Sequence, residues 1–206
     1  MAMTLYGLKP RFQALLRPLA SSLARKGVSA NEVTVAALLV SVALGAFVAS
    51  ESDAAWPFLL LPAWFFLRMA CNAIDGILAR EFAQASALGA YLNELTDVVS
   101  DAALYLPFAL VSPFGPWSIG AVVLVASLSE MAGAMGPMIG AARRYDGPMG
   151  KSDRALVFAA LGLYVGLGGR LPAAALWLMP LLALLIACNI VNRVRRGVAQ
   201  SMRGRR

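Results

Sequence analysis

The sequence predicts an all-α membrane protein with six transmembrane helices and an N-terminal amphipathic helix in the membrane interface. Three observations predict this class. Hydrophobic residues make up 60% of the 206 residues and charged residues only 14%. The mean hydropathy of +0.71 lies above the range of soluble globular domains. Apolar runs of about 20 residues, the length of a membrane-spanning helix, recur along the chain.

Residues 1–29 are predicted to lie on the membrane surface. Their apolar side chains recur at helical spacing between basic ones, which is typical of an interfacial helix. The apolar positions are Phe12, Leu15, Leu16, Leu19 and Leu23. A cleavable signal peptide is not expected, since basic residues interrupt the segment throughout. The alternative is an ordinary cytosolic helix.

The six predicted spans form a bundle over residues 30–192, and a basic tail follows at 193–206. We treat residues 1–206 as a single integral-membrane domain. Turn-forming residues separate the spans, and Gly168–Pro172 divides the fifth from the sixth. The predicted spans are 33–50, 56–79, 87–111, 117–142, 155–169 and 171–192.

The basic residues predict the orientation of the bundle. An even number of spans puts both termini on one side of the membrane. If Arg68 is assigned to the half of its helix nearer that side, the side holds 17 of the 18 Lys and Arg residues, and Arg170 is the exception. Loops rich in Lys and Arg stay in the cytoplasm. Both termini are therefore expected there. The formal charge of +7 is explained by topology and anionic lipid, so no nucleic-acid partner is expected.

Polar residues interrupt the second and third spans in two helical stripes. Asn72 and Asp75 are three residues apart, and Asn93, Asp97 and Asp101 follow at spacings of four. Each set therefore lies on one face of a helix. The short segment between the stripes is predicted to be the tip of a helical hairpin that faces the cytoplasm. Ionisable groups at membrane depth are costly, so the stripes indicate a functional site.

The residue types limit the chemistry of this site. The chain has no histidine, which excludes histidine-based acid–base or nucleophilic catalysis. Carboxylate and amide oxygens suit Mg²⁺ or Mn²⁺, which neutralise phosphate groups. A metal-assisted site for a phosphate-bearing substrate is one interpretation, and a cation channel or transporter is the other. Gly76 and Gly89 leave the helix surface bare for a ligand or for helix packing.

Basic residues near the predicted site have two interpretations. They bind substrate phosphate, or they are topology signals. These residues are Arg80, Arg143, Arg144, Lys151 and Arg154. Arg68 and Glu130 are further charges within apolar segments; whether they pair with each other or line the site is left open.

The polar stretch resembles the signature of the CDP-alcohol phosphatidyltransferase family, DxxDGxxARx8GxxxDxxxD. The matching residues are Asp75, Gly76, Ala79, Arg80, Gly89 and Asp97. Two other elements support the resemblance. Asn31 and Thr34, before the first span, resemble the family's PNxxT element with Ala30 in place of proline, and Gly150–Lys151 resembles a GK pair that the family has before the fifth span.

The sequence departs from the signature at two positions. Asn72 and Asn93 stand where the family has its first and third aspartates. The four positions then carry two carboxylates instead of four, which favours weaker metal binding and one metal where the family has two. Glu94 and Asp101 lie nearby, but neither occupies a substitute position on its helix.

The resemblance implies a membrane enzyme, expected in a bacterial inner membrane with its active site facing the cytoplasm. Such an enzyme moves a phosphatidyl or related group from a CDP-linked donor, usually CDP-diacylglycerol, to an alcohol and releases CMP. The implied metal ligands are Asn72, Asp75, Asn93 and Asp97, with Asp97 also the general base.

The resemblance also implies residues for the nucleotide of the donor, and nearby basic residues are our candidates for an acceptor that carries phosphate. The implied nucleotide-side residues are Asn31, Thr34, Asp75, Gly76, Ala79, Arg80 and Gly89. The candidates for an acceptor phosphate are Arg143, Arg144, Lys151 and Arg154. The acceptor itself and a homodimer are left open. Because of the two amides, a catalytically weakened homologue that binds CDP-lipid or a membrane partner is the alternative function.

Overall fold

The computed structural model describes residues 9–203, and every regular element within that range is helical. The predicted segments 1–29 and 193–206 extend beyond it at residues 1–8 and 204–206. The α-helices are α1 (Lys9–Arg25), α2 (Ala30–Ser50), α3 (Leu60–Glu81), α4 (Ala87–Tyr105), α5 (Pro116–Ala134), α6 (Lys151–Gly166) and α7 (Leu178–Arg203). The all-α prediction is confirmed.

Within residues 9–203, four helical segments are long and apolar enough to cross a membrane, so the protein is a membrane protein. They are Ala30–Ser50, Trp56–Glu81, Pro116–Ala134 and Ala173–Arg203. Helix α4 carries three acidic residues, and α6 has only 16 residues. The count of six spans and the cytoplasmic location of both termini therefore remain predictions.

Several boundaries differ from the predicted spans. Helix α4 ends at Tyr105 and not at 111, and α7 runs from Leu178 to Arg203 where the sequence predicts 171–192. Helix α5 ends at Ala134 and not near 142, because Pro137 cannot continue a helix. A short 3₁₀ turn, Gly136–Ile139, follows, and Gly140 adopts a left-handed conformation with φ of 75°. Helix α6 begins earlier than predicted, at Lys151, where the backbone N–H of Gly150 donates to Asp153 Oδ2 at 3.0 Å.

The predicted hairpin between the two polar stripes is present. Helix α3 ends at Glu81, and α4 begins after Ser86, whose Oγ accepts a hydrogen bond from Gly89 N at 2.9 Å. Gln84 in the tip accepts from the backbone N–H of Ala30 at 2.7 Å. This contact holds the start of α2 against the hairpin.

Helix α2 packs closely along α4. A Cβ atom added at Gly45 would lie 2.1 Å from the carbonyl oxygen of Ala103, so only glycine permits this approach. At the opposite end of α2, Ser29 caps the helix by accepting a hydrogen bond from Glu32 N at 3.2 Å. The packing places the first turns of α2 beside the polar stripes of α3 and α4.

The main apolar core begins one turn beyond Asp101. The ring of Tyr105 stacks on Phe158 with centroids 3.9 Å apart, and Phe108 packs edge-on against Phe58 at 5.3 Å. All four side chains are buried. The polar stripes thus occupy one end of the helix bundle, and the core fills the rest.

Candidate active site

Asp75 lies at the junction of α2 and α3. It is 6% exposed, and its Oδ2 accepts a hydrogen bond from Thr34 Oγ1 at 2.9 Å. The hydroxyl of Thr34 also contacts the carbonyl oxygen of Ala30, at 3.0 Å. The threonine of the N-terminal element and the second signature position are therefore adjacent in space.

Asp97 is held through one carboxylate oxygen by donors from α3 and α6. Its Oδ1 accepts from Asn72 Nδ2 at 3.3 Å and from Arg68 Nη2 at 3.2 Å, and it also contacts the ammonium of Lys151. Arg68 Nη2 donates in addition to the Asp97 carbonyl oxygen at 3.0 Å. The first and fourth signature positions thus meet, and Lys151 joins them.

The two signature glycines lie under polar side chains. A Cβ atom at Gly76 would be 2.8 Å from Nη2 of Arg80, and one at Gly89 would be 2.8 Å from Oδ1 of Asn31. Arg80 folds back over its own helix, and Asn31 reaches from α2 to the first turn of α4. Ala79, next to Arg80, is partly buried and packs with the small apolar cluster around Ile77 and Leu78.

Asn93 and Glu94 differ in their surroundings. Asn93 is half-buried one turn before Asp97, and its side chain hydrogen-bonds to none of the described residues. Glu94 accepts a hydrogen bond from Arg143 Nη2 at 2.6 Å. Glu94 therefore pairs with the loop after α5 and does not replace the missing aspartate at position 93.

A buried network of charges adjoins the site and joins five helices. Arg68 forms an ion pair with Asp101, and Arg154 Nη2 lies 3.5 Å from Asp101 Oδ2 and 2.9 Å from Glu130 Oε1. Arg193 Nη1 lies 3.4 Å from the same oxygen of Glu130. All of these residues are at most 6% exposed. Arg68 and Glu130 do not pair with each other; they are linked through Asp101 and Arg154.

The basic residues of the loop before α6 also have protein partners. Arg143 Nη2 lies 3.7 Å from Glu130 Oε2, and Arg144 Nε lies 2.9 Å from Asp146 Oδ1. Burial opposes ionisation of Asp146, but hydrogen bonds from Arg144 and Arg196 outweigh it and lower its pKa. A substrate phosphate at these arginines would have to compete with carboxylates.

The oxygen donors fit a single hard cation. Asp75 and Asp97 supply two carboxylates and Asn72 and Asn93 two amides, with a combined charge that balances one divalent ion. The donors that hold Asp97 contact Oδ1, which leaves Oδ2 for another partner. Within residues 9–203, no three Asp, Glu, His or Cys side chains are grouped to hold a metal. Amide oxygens would therefore complete the ligand set.

Sequence reasoning missed the roles of Arg68 and Arg193. Arg68 precedes Asn72 by four residues, so the stripe of α3 extends one turn further than the signature. That spacing was an available signal. Arg193 lies in a run of basic residues, and nothing in the sequence distinguishes it from topology signals.

Comparisons with known proteins agree with the resemblance of the motifs. The family described as CDP-alcohol phosphatidyltransferase matches residues 28–188. The chain is 43% identical over 196 residues to the inner membrane protein YnbA of Escherichia coli strain K12, covering 94% of this chain and 96% of that one. It is 29% identical over 99 residues to a phosphatidylinositol phosphate synthase of Streptomyces avermitilis, covering 48% of this chain and 39% of that one.

The fold is similar to that of a solved structure. The crystal structure of Mycobacterium tuberculosis phosphatidylinositol phosphate synthase (PgsA1) with CDP-DAG bound aligns with a TM-score of 0.67, covering 87% of this chain and 92% of that one. The sequence identity is 21%, so the helical architecture is what the two share.

Proposed function

Because the chain belongs to the CDP-alcohol phosphatidyltransferase family, we propose that it transfers a phosphatidyl or related group from CDP-diacylglycerol to an alcohol and releases CMP. One observation carries the proposal. Three elements far apart in the sequence converge on two carboxylates: Thr34 on Asp75, and Asn72 and Lys151 on Asp97. These are the elements in which the chain resembles the family.

The nucleotide end of the donor is proposed to bind beside α2 and the hairpin. Gly76 and Gly89 have no side chains to cover their helices at this point. The side chains that lie over them, Arg80 and Asn31, carry donors that suit phosphate and ribose oxygens. Thr34 and Ala79 complete this side of the site.

A divalent metal, Mg²⁺ or Mn²⁺, is proposed to bind Asp75 and Asp97 with the amide oxygens of Asn72 and Asn93. When bound, it supplies Lewis-acid stabilisation to the pyrophosphate and the departing CMP. Thr34 orients Asp75 by its hydrogen bond, and Arg68 orients Asp97 through both the carboxylate and the carbonyl oxygen.

Asp97 is the proposed general base. Its carboxylate takes the proton from the acceptor hydroxyl as the new bond between that oxygen and the phosphatidyl phosphorus forms and the phosphorus–oxygen bond to CMP breaks. General-base catalysis of this kind contributes roughly 10²–10⁴ in rate.

Lys151 is the proposed first contact for an acceptor that carries phosphate. An ammonium group has three N–H donors, so it can hold Asp97 and a phosphate oxygen together. The further candidates are Arg143, Arg144 and Arg154, and each would exchange a protein carboxylate for the phosphate.

The protein is proposed to reside in a bacterial inner membrane with both termini and the site on the cytoplasmic side. The location is supported by the similarity to an inner membrane protein of Escherichia coli. The orientation is supported by the concentration of Lys and Arg on one side of the predicted spans. CDP-linked donors and soluble acceptors would then reach the site from the cytoplasm.

Asn72 and Asn93 favour a second candidate, a weakened homologue that binds CDP-lipid without turnover. The two are separated by incubating the purified protein with CDP-diacylglycerol, Mg²⁺ and a pool of alcohols, and measuring CMP and new lipid masses. The transferase produces both CMP and a new lipid. Binding of CDP-diacylglycerol with no CMP release would refute it and favour the second candidate.

A further inference from the structure

The carboxylate of Asp97 already has two positive partners from the protein. The ammonium of Lys151 contacts Oδ1, and the guanidinium of Arg68 lies 3.2 Å from the same oxygen. Asp75 differs, because its partner is the neutral hydroxyl of Thr34. Among the described residues, no Lys or Arg side chain forms an ion pair with Asp75. The two carboxylates that face a metal are therefore unequal.

The amide at position 72 has a direct role in this arrangement. Asn72 Nδ2 donates to Asp97 Oδ1 at 3.3 Å. A carboxylate at position 72 would place two like charges at that separation, which is unfavourable unless a cation lies between them. The amide makes a hydrogen bond instead, so residues 72 and 97 approach each other without a bridging ion.

Lys151 is well placed to stay at Asp97. It is the first residue of α6, and this first turn is fixed by the hydrogen bond from Gly150 N to Asp153 Oδ2. One turn later, the fully buried Arg154 anchors α6 to Asp101 and Glu130. The backbone that carries the ammonium is therefore held at two successive points.

We infer that the site binds a single divalent cation, nearer Asp75, and that Lys151 is the second positive charge of the site, taking the place of a second ion at Asp97. The charges support this count. The site and the buried network beside it form a set of four carboxylates, Asp75, Asp97, Asp101 and Glu130, and four cations, Arg68, Lys151, Arg154 and Arg193, so the set is neutral before any metal binds. One divalent ion makes the set positive by two charges, as suits a pyrophosphate, whereas two ions would make it positive by four. The inference rests on the proposed function.

The test is a count of Mn²⁺ bound per chain, made on the full-length protein in detergent by following free Mn²⁺ with electron paramagnetic resonance. The wild type is expected to bind one ion. Lys151→Met should raise Mn²⁺ affinity by about tenfold or more, since a charge in contact shifts ionic equilibria by that much. Lys151→Arg keeps the charge and should bind like the wild type. Lys26→Met, which removes an exposed lysine at the end of α1, is the matched control and should change nothing.

A second variant tests the count itself. Asn72→Asp and Asn93→Asp combined with Lys151→Met should bind two ions, because the two added carboxylates need the charge that the ammonium no longer supplies. The inference would be overturned if the wild type bound two Mn²⁺ ions or none. It would also be overturned if Lys151→Met and Lys26→Met bound Mn²⁺ with equal affinity. CMP release from the same samples keeps the proposed function separate: release by a wild type with two ions refutes only the cation count, and one ion without release refutes only the transferase.

Discussion

Arg68 lies outside the signature, and replacing it should disturb the site more than replacing any other residue outside the signature. It is 4% exposed and contacts the carboxylates of Asp101 and Asp97 and the carbonyl oxygen of Asp97. Replacing Arg68 with Met keeps much of the apolar volume but leaves Asp101 buried without one of its two cations. Removing one partner of a buried ion pair typically costs about 3–5 kcal/mol.

The size of the effect can be separated from general damage by matched variants. Arg17→Met removes an arginine of an exposed ion pair, with Glu81 at 3.1 Å, and should cost less than about 1 kcal/mol. Arg68→Lys keeps the charge, but an ammonium group lacks the planar fork that reaches three oxygens. Its free energy of unfolding should therefore lie between those of Arg68→Met and the wild type. Adding Asp101→Asn to Arg68→Met should recover part of the loss, because the uncompensated carboxylate is gone.

The free energy of unfolding would be measured for all variants by SDS titration in mixed micelles, together with kcat for CMP release. Arg68→Met should lower both, since Asp97 loses the group that fixes its orientation. A loss in Arg68→Met no larger than that in Arg17→Met would refute the assignment of Arg68 as the residue that joins α3 to α4. If adding Asp101→Asn to Arg68→Met lowered the free energy of unfolding further, the charge explanation would be contradicted.

Three further predictions concern helix packing, topology and metal. Gly45→Ala should lower the free energy of unfolding by about 1–3 kcal/mol, because the new Cβ would lie 2.1 Å from the Ala103 carbonyl oxygen. Gly120→Ala, whose Cβ would meet nothing within 4 Å, should leave the free energy of unfolding unchanged in the same SDS titration. A cysteine at Ser152 should react with an impermeant label only from the cytoplasmic side and one at Ser112 only from outside; the opposite pattern would invert the predicted orientation. Removing divalent metal with EDTA should abolish CMP release and Mg²⁺ should restore it, so release that is insensitive to EDTA would exclude the proposed metal role.

Local periodicity made the contacts within the α3–α4 hairpin predictable from the sequence. Spacings of three and four put Asn72 with Asp75 and Asn93 with Asp97 on single helix faces, and a short connection makes the two helices neighbours. The structure forms both helices and brings Asn72 to Asp97 at 3.3 Å. Contacts of this kind depend on spacing within one hairpin, which a sequence displays directly.

Contacts between distant helices could not be predicted in the same way. The sequence shows Arg68 and Glu130 only as charges within apolar segments, because their linkage through Asp101 and Arg154 depends on which helices pack together. The close approach at Gly45 depends on the same packing. The early end of α5 is a different case, because Pro137 is visible in the sequence and lies inside the predicted span 117–142.

The most direct test of the proposed chemistry is CMP release from CDP-diacylglycerol by the wild type and by Asp97→Asn, in the same detergent, metal and alcohol pool. Asp53→Asn, an identical change at an exposed residue of the loop after α2, is the control. We predict release by the wild type and the control, and a rate at least roughly 100-fold lower for Asp97→Asn, because the amide cannot accept the acceptor's proton. Equal rates for Asp97→Asn and wild type would contradict the role of Asp97 as the base.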